Sequence, residues 1–375
     1  MPLSDVLHQP IAQDRLQRAL RSGRVPHAYL FTGPEGVGKE MLAARLAAVL
    51  LCNDPQSSIV TPQSSIPRQD ACGQCVDCTL HAAGNHPDYH RIYRTLNKLH
   101  PNQKVRDRKA IDLSVDVIRH FLIDKVGLRP SRGRAKVFII AEAHRLSSGA
   151  QNAMLKTLEE PPGHSYLILL APSADTLLAT TRSRSHQIAF QHLPARFIIE
   201  QLHARYDITA GFARFIAELS QGSPGIANKY AEIGLQDHLS IVLQALQTAS
   251  HDPLNCGRTL LDASKQLTSA FKEQDDESKD TNASRQAQTV ILSMVAAVLR
   301  DVQRITVGQR PVVFLDDPAV AAFAGTTTPQ AVGCVIRAMA AAERQISRNA
   351  NTSLVFDTVG IELGRGLSTV PQTVP

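Results

Sequence analysis

The sequence contains no tryptophan, and aromatic residues fill only 5% of its 375 positions. A chain so poor in flat side chains does not advertise extensive stacking on nucleic-acid bases. It also lacks any apolar run near the ~20 residues that a membrane helix needs, so no membrane role is expected. Its opening stretch, MPLSDVLHQPIAQDRL, is polar and charged where a secretory leader would carry an apolar core. The expectation is therefore a cytoplasmic protein. Charge of one sign is not in great excess: a net charge of +6 permits contact with nucleic acid without arguing for it. Cysteines are few, six in all, yet three fall at Cys72, Cys75 and Cys78. In a reducing compartment such clustering points to a metal rather than a disulfide. What remains is 43% hydrophobic and 20% charged, an ordinary globular composition. The chain is long enough for two or three domains with real cores.

The stretch that organises the rest is AYLFTGPEGVGKEMLAARLAAVLL, residues 28–51. A short apolar run, Ala28–Phe31, enters a turn built on Gly33, Pro34, Glu35, Gly36, Val37 and Gly38; Lys39 and an alanine- and leucine-rich helix follow. Strand, glycine-rich turn, lysine and helix are the layout of a nucleotide-binding phosphate loop. Backbone N–H groups of the turn and of the helix N-terminus cradle phosphates, and the lysine neutralises them. ATP or ADP is thus a candidate ligand. The position after the lysine breaks the pattern, because Glu40 stands where a Ser or Thr hydroxyl would ligate Mg²⁺.

Cys72, Cys75 and Cys78 have metal-ligand spacing, and the fourth ligand stays open on spacing alone. Cys52 lies twenty residues earlier, and His81 continues the same rhythm. The intervening NDPQSSIVTPQSSIPRQDA is expected to be a flexible loop. A closed structural Zn²⁺ site is favoured over a catalytic one, which would want an open position beside acid–base groups. Cys256 and Cys334 are expected in the core.

Residues 91–136 are rich in Lys and Arg, with a polar stretch at 97–110 expected as a loop; the basic residues form either a solvated face or a DNA- or partner-facing patch. Helices are expected over 5–24, with Val6, Ile11, Leu16 and Leu20 facing inward, and over 111–123, with Ile111, Val115, Ile118 and Leu122 inward. Lys136–Ile140 is a buried type of strand that runs into Ala141-Glu142. In a phosphate-loop ATPase that strand ends in Asp-Glu, the Asp serving Mg²⁺ and the Glu the attacking water. Here the first of the two is Ala141. SSGAQNAMLKTLEEPPG then reads as a helix begun by Ser147 or Ser148 and stopped by Pro161-Pro162. Further strands are expected at Ser165–Ala171 and at the end of 176–190. Strands alternating with helices imply an α/β domain with a parallel sheet. Beyond about residue 193 the strands stop. Helical stretches are expected over 194–232, 235–273, 286–310 and 329–364, with an acidic linker before 286 and a frayed Thr/Pro/Val end.

Taken together, PHAYLFTGPEGVGK (26–39), the cysteine cluster, HPDYHRI (86–92), KVFIIAEAHRLSSGAQNAMLKTLEEPPG (136–163), TTRSRS (180–185), SQGSPGIA (220–227) and RNANTSLVFD (348–357) resemble the clamp-loader family of AAA+ proteins. The resemblance covers nearly the whole chain in order, and Met154–Pro162 is its most specific segment. It implies a RecA-like phosphate-loop domain over 1–192, with a zinc module at about 52–90 held by Cys52, Cys72, Cys75 and Cys78. A small helical lid over 193–234 and a helical collar over 235–375 would follow. It implies partners as well: delta-type and gamma/tau-type subunits in a hetero-oligomeric ring, a sliding clamp, and primed DNA reached through the assembly.

The family's Ser-Arg-Cys motif falls on Ser183, Arg184 and Ser185. Its arginine is supplied in trans to ATP on a neighbouring subunit, and such a finger is worth roughly 10³–10⁵ in rate. Where relatives carry a sensor arginine in the lid, this chain has Gly225. Glu40, Ala141 and Gly225 together imply a subunit without ATPase activity of its own that completes a neighbour's site, within a replicative DNA polymerase holoenzyme. Two other readings compete. One is an ATP-hydrolysing loader subunit or helicase-like motor. The other is a zinc-dependent nucleic-acid-binding protein with a relic phosphate loop.

Overall fold

The computed structural model describes residues 3, 6, 8–54, 70–132, 134–274, 280–315 and 317–367. Most of the loop expected between Cys52 and Cys72, the centre of the acidic linker and the frayed end fall outside these residues. The chain divides into two compact units, Met1–His192 and Leu193–Pro375.

The first unit is built on a five-stranded sheet of β1 (Ala28–Thr32), β2 (Tyr89–Ile92), β3 (Lys136–Ile140), β4 (Ser165–Ala171) and β5 (His186–Ala189), in the spatial order β2-β3-β4-β1-β5. Every neighbouring pair is parallel. β1 and β3 are buried along nearly their whole length, which is why both read as unbroken apolar runs rather than alternating ones. The strand β2 was not expected. YHRI is short, and only Ile92 of the four is buried, so neither pattern announces it.

Helices α1 (Pro10–Arg21) and α2 (Lys39–Leu51) flank β1 in sequence. The expected 5–24 helix starts only at Pro10, whose fixed φ suits a first helical position. Ala12, Leu16 and Leu20 are its buried residues, whereas Ile11, expected inward, is exposed. α2 buries almost every residue from Leu42 to Leu51. After it come α3 (Val76–Ala82), a 3₁₀ turn (Arg94–Leu99) and α4 (Gln103–Arg106). The expected polar loop at 97–110 is thus structured: Val105 is buried, and the Asn97 side chain donates to the carbonyls of Val105 and Arg108.

The helix expected from Ile111 begins later, at α5 (Val115–Ile118), and passes through a π-helical turn (Arg119–Ile123) into α6 (Asp124–Val126). Leu113 bridges Leu146 in parallel fashion, giving its N–H to Arg145 and taking that of Ser147. This holds the chain extended, so the helix starts only after Ser114, whose Oγ accepts from Val117 N–H. Ile111 stays outside the helix and exposed. α7 (Ser148–Glu159) agrees with its sequence reading: Ser147 caps it, and Ala150, Met154 and Leu158 are buried under the sheet. α8 (Ala179–Ser183) precedes β5.

The second unit holds α9 (Ala195–Arg205), α10 (Ala210–Leu219), α11 (Pro224–Glu232), α12 (Leu235–Thr248), α13 (Pro253–Gln274), α14 (Asp280–Thr306), α15 (Pro318–Gly325), α16 (Pro329–Ser347) and α17 (Thr352–Leu367). One apolar core runs through it from Ile198 to Leu367. The stretch expected as helical over 235–273 is two helices, because Pro253 cannot continue α12 and instead opens α13. α13 and α17 approach through glycines. A Cβ on Gly360 would lie 2.0 Å from the Pro253 carbonyl oxygen, and one on Gly257 would lie 2.3 Å from that of Phe356. Cys256 is buried as expected; Cys334, expected in the core, is exposed on α16 beside Arg337. Among the described residues no single helix is long and apolar enough to cross a membrane.

Candidate functional site

The loop after β1 lies at the carboxyl end of the sheet, where open parallel sheets bind ligands. Its shape depends on glycine. Gly33 has φ +141°, and a Cβ there would meet the Phe190 carbonyl oxygen at 2.5 Å. Gly36 and Gly38 also have positive φ, and Gly38 forms the N-cap of α2. Gln9 pins the loop from behind. Its buried amide donates to the carbonyls of Val37 and Gln191 and accepts from the Gln191 N–H. The Lys39 ammonium is folded onto the carbonyl oxygens of Gly33 and Pro34. Burial pulls its pKa below the usual lysine value, against a smaller pull upward from Glu35.

The carboxylates at this end of the sheet are engaged. Glu40, in the first turn of α2, is ion-paired with Arg91 of β2, whose guanidinium also lies 5.0 Å from the Tyr93 ring. Burial works to lower the Arg91 pKa, but the hydrogen bond and charge of Glu40, with help from Tyr89 and Tyr93, raise it overall. Glu142 pairs with Arg94 at 3.1 Å and accepts the Arg94 backbone N–H at 3.0 Å. It therefore caps the 3₁₀ turn that follows β2. Ala141, between β3 and Glu142, contributes only its backbone, with its N–H on the Ile92 carbonyl.

Cys52, at the C-terminal end of α2, lies with Cys72, Cys75 and Cys78, which stand just before and within α3. Its Sγ lies 3.4 Å from those of Cys72 and Cys75, Cys72 and Cys78 are 3.8 Å apart, and all four sulfurs fall within 4.8 Å of one another. Tetrahedral thiolates at about 2.3 Å from Zn²⁺ would stand about 3.8 Å apart, so the set fits such an ion. The N–H groups of Cys75 and Cys78 point to the sulfurs of Cys72 and Cys75. Burial opposes ionisation of Cys52, but the backbone donors of Asp54 and Cys72 and the Cys78 and Cys75 thiols hold its pKa down to about 6. Burial pushes the Cys78 thiol up. His81, the other candidate ligand, has its Nε2 on the Ala44 carbonyl and its ring against Tyr89. The cluster is tied to the sheet by buried Asp77, which accepts from Arg132 and Asn53 at 3.0 Å each, and by buried Asp88, which accepts the N–H groups of Ser131 and Arg132.

Arg184 forms the C-cap of α8. Its guanidinium meets Glu159 at the end of α7 at 2.6 Å and donates to the Thr180 carbonyl at 3.0 Å. Buried Gln151 joins the two helices, donating to the Leu146 carbonyl and accepting from Leu178 N–H and the Thr181 hydroxyl. In the second unit, Gly225 is exposed in the first turn of α11, which Ser223 caps.

A family described as DNA polymerase III, delta subunit, matches residues 8–194. The delta' subunit of Escherichia coli DNA polymerase III is 30% identical over 214 residues, 57% of this chain and 57% of that protein. The tau subunit of Bacillus subtilis DNA polymerase III is 31% identical over 242 residues, 64% of this chain and 37% of that protein. The chain belongs to the clamp-loader family. Among solved structures, a DNA polymerase III gamma subunit-related protein from Thermotoga maritima is similar with a TM-score of 0.46 and 16% identity, covering 94% of this chain and 100% of that one. The clamp-loader chain spans less than two thirds of the two curated relatives' lengths.

Several residues that shape these sites in the clamp-loader chain escaped the sequence reading. Arg91 and Arg94 were seen only as members of a basic stretch, although an acid at position 40 calls for a cation nearby. Glu159 was seen only as part of a family segment. Asp88 and Gln151 likewise stood only within family segments, and Gln9 gave no signal, because a buried polar side chain is recognised only once its partners are known.

Proposed function

We propose that the chain is a delta-prime-like subunit of a DNA polymerase III clamp loader, which completes a neighbour's ATP site and does not fire its own. The observation that carries this is the contrast at the carboxyl end of the sheet. The loop geometry is kept, but its metal-binding chemistry is gone: position 141 has no carboxylate, and Glu40 and Glu142 are each bound to an arginine. Gly225 has no side chain to serve as a sensor. Arg184, by comparison, retains a planar guanidinium on a helix end, held by a half-exposed carboxylate.

Residues Gly33–Lys39 would hold the phosphates of ATP or ADP, through backbone N–H groups and the Lys39 ammonium. Hydrolysis needs in addition a Mg²⁺ ligand and a free carboxylate to orient water, and this chain supplies neither. Arg184 would instead present N–H pairs and a fixed positive charge to the phosphoryl oxygens of nucleotide on the next subunit, where negative charge develops. The four cysteines would hold a structural Zn²⁺ that fastens the end of α2 to α3. Residues 193–234 are proposed as the lid and 235–375 as the collar of a hetero-oligomeric ring with delta-type and gamma/tau-type subunits. That ring would act on a sliding clamp at primed DNA.

The test mixes the purified chain with delta-type and gamma/tau-type subunits. The expected results are one complex by size, no ATP turnover by the chain alone, and turnover by the complex that depends on Arg184. The likeness to a tau subunit favours one rival, an ATP-hydrolysing loader subunit. Steady Mg²⁺-ATP turnover by the chain alone, abolished by Lys39→Ala, would establish that rival and overturn this proposal. For the metal, one Zn²⁺ per chain is expected by elemental analysis, and Cys72→Ser should abolish it.

A further inference from the structure

At the phosphate loop the carboxylates of Glu40 and Glu142 are each ion-paired with an arginine, so fixed positive groups are already present. We propose that this loop binds a nucleoside polyphosphate without Mg²⁺, with Arg91 providing the cation. This rests on residues 33–40 being a nucleotide loop, and it says which form of the ligand the loop accepts.

Three features carry the inference. Gly33, Gly36 and Gly38 keep their positive φ, and Gln9 holds the loop in shape; the Gly33 N–H is taken by the Ala171 and Pro172 carbonyls, so phosphate would be received by the N–H groups further along the turn and at the start of α2. Lys39 is half-buried, its ammonium on two neutral carbonyls, in surroundings that lower its pKa against a smaller upward pull from Glu35. A phosphate oxygen is a better partner for that ammonium than a carbonyl, because charge-assisted hydrogen bonds are roughly twice as strong as neutral ones.

The third feature concerns the metal. Mg²⁺ demands near-octahedral oxygen coordination and is usually held by one or two carboxylates together with the phosphates. Ala141 offers no carboxylate. Glu142 is committed to Arg94 through both a side-chain and a backbone donor. Glu40 sits at the position of the missing hydroxyl and is paired with Arg91, which brings a positive charge to the first turn of α2. An arginine there is permanent and needs no metal to be recruited.

Titration calorimetry of the full chain with ADP and with ATP, once in EDTA and once in excess Mg²⁺, tests this. The expected result is binding whose affinity agrees within about twofold between the two conditions. Lys39→Ala should abolish it, and Arg91→Ala should weaken it about tenfold, as for loss of one charge-assisted hydrogen bond. Glu40→Thr frees Arg91 and should tighten binding in EDTA. Circular dichroism confirms that each variant is folded. Affinity raised tenfold or more by Mg²⁺, no change on Arg91→Ala, binding that survives Lys39→Ala, or no binding in either condition would each overturn the proposal. None of these results touches the role of Arg184, which is measured on a neighbour's nucleotide.

Discussion

The phosphate loop and the Arg184 edge of the sheet-bearing unit both present charged side chains, but they hold them differently. At the loop, Arg94 and Glu142 are 18% and 27% exposed and share an ion pair and a backbone hydrogen bond, although Arg91 and Glu40 beside them are 46% and 48% exposed. The loop itself is locked by glycine geometry and by buried Gln9. At the other edge, Arg184 and Glu159 are 34% and 47% exposed. Exposed pairs of that kind contribute about 0–1 kcal/mol, so Glu159 can release Arg184 at little cost. The difference lies between a largely sheltered ion pair beside a loop locked by glycine and a more exposed pair at the sheet edge. Four changes would break or sharpen it.

The largest effect is expected from Gly33→Ala. Its φ of +141° and the 2.5 Å approach to the Phe190 carbonyl leave no room for a methyl group, and that carbonyl is backbone. A loss of about 3–4 kcal/mol is expected in urea unfolding, combining strain with overpacking. Wild-type stability in this variant would mean that the loop is softer than its geometry implies.

Next comes Gln151→Leu, which removes the support beneath α8. The Leu178 N–H and the Leu146 carbonyl lose their buried partner, and a loss of about 2–3 kcal/mol is expected in the same unfolding measurement. The precision of Arg184 thus comes from buried amide bonds, and the ion pair adds little.

The third concerns pH. His90 lies on β2 beside Arg91, stacked 4.7 Å from Phe138; burial and the charges of Lys125 and Lys136 bring its pKa down to about 4. An unfolded histidine titrates near 6.5, so between about pH 6.5 and 4 the unfolded chain binds the proton first. Stability from this group is therefore complete above about pH 6.5 and declines toward pH 4, by about 2 kcal/mol for a ring that is only partly buried. His90→Phe should flatten the dependence of Tm on pH over that window. An equally steep curve would remove His90 as its source.

The smallest effect is expected from Glu159→Gln. Its cost to stability should stay below about 1 kcal/mol by thermal unfolding, as for an exposed pair. A loss of several kcal/mol would make Arg184 a structural residue and erase the contrast.

The sequence carried the outline of the site better than its wiring. The loop glycines could be read directly, because their positive φ restricts residue type at those positions. The parallel sheet was legible where strands are buried on both faces, as in β3, and missed at β2, where one residue in four is buried. Ile111 looked like the first turn of a helix because its spacing fits, but the Leu113–Leu146 bridge overrides local periodicity. Cys334 was expected inside because unpaired cysteines usually are, and the face of α16 that carries it points outward. The close packing of α13 on α17 depends on Gly257 meeting the backbone of a helix about one hundred residues away, which no local pattern records.

The most direct measurement of the central claim is ATP turnover by a reconstituted loader, stimulated by clamp and primed DNA, with Arg184→Ala and Arg184→Lys introduced into this chain alone. Both variant complexes are first shown to assemble. The account predicts at least a tenfold fall with Arg184→Ala and little rescue by Arg184→Lys, since lysine lacks the planar pair of donors. Turnover unchanged in both complexes would contradict it and leave Arg184 as the surface partner of Glu159.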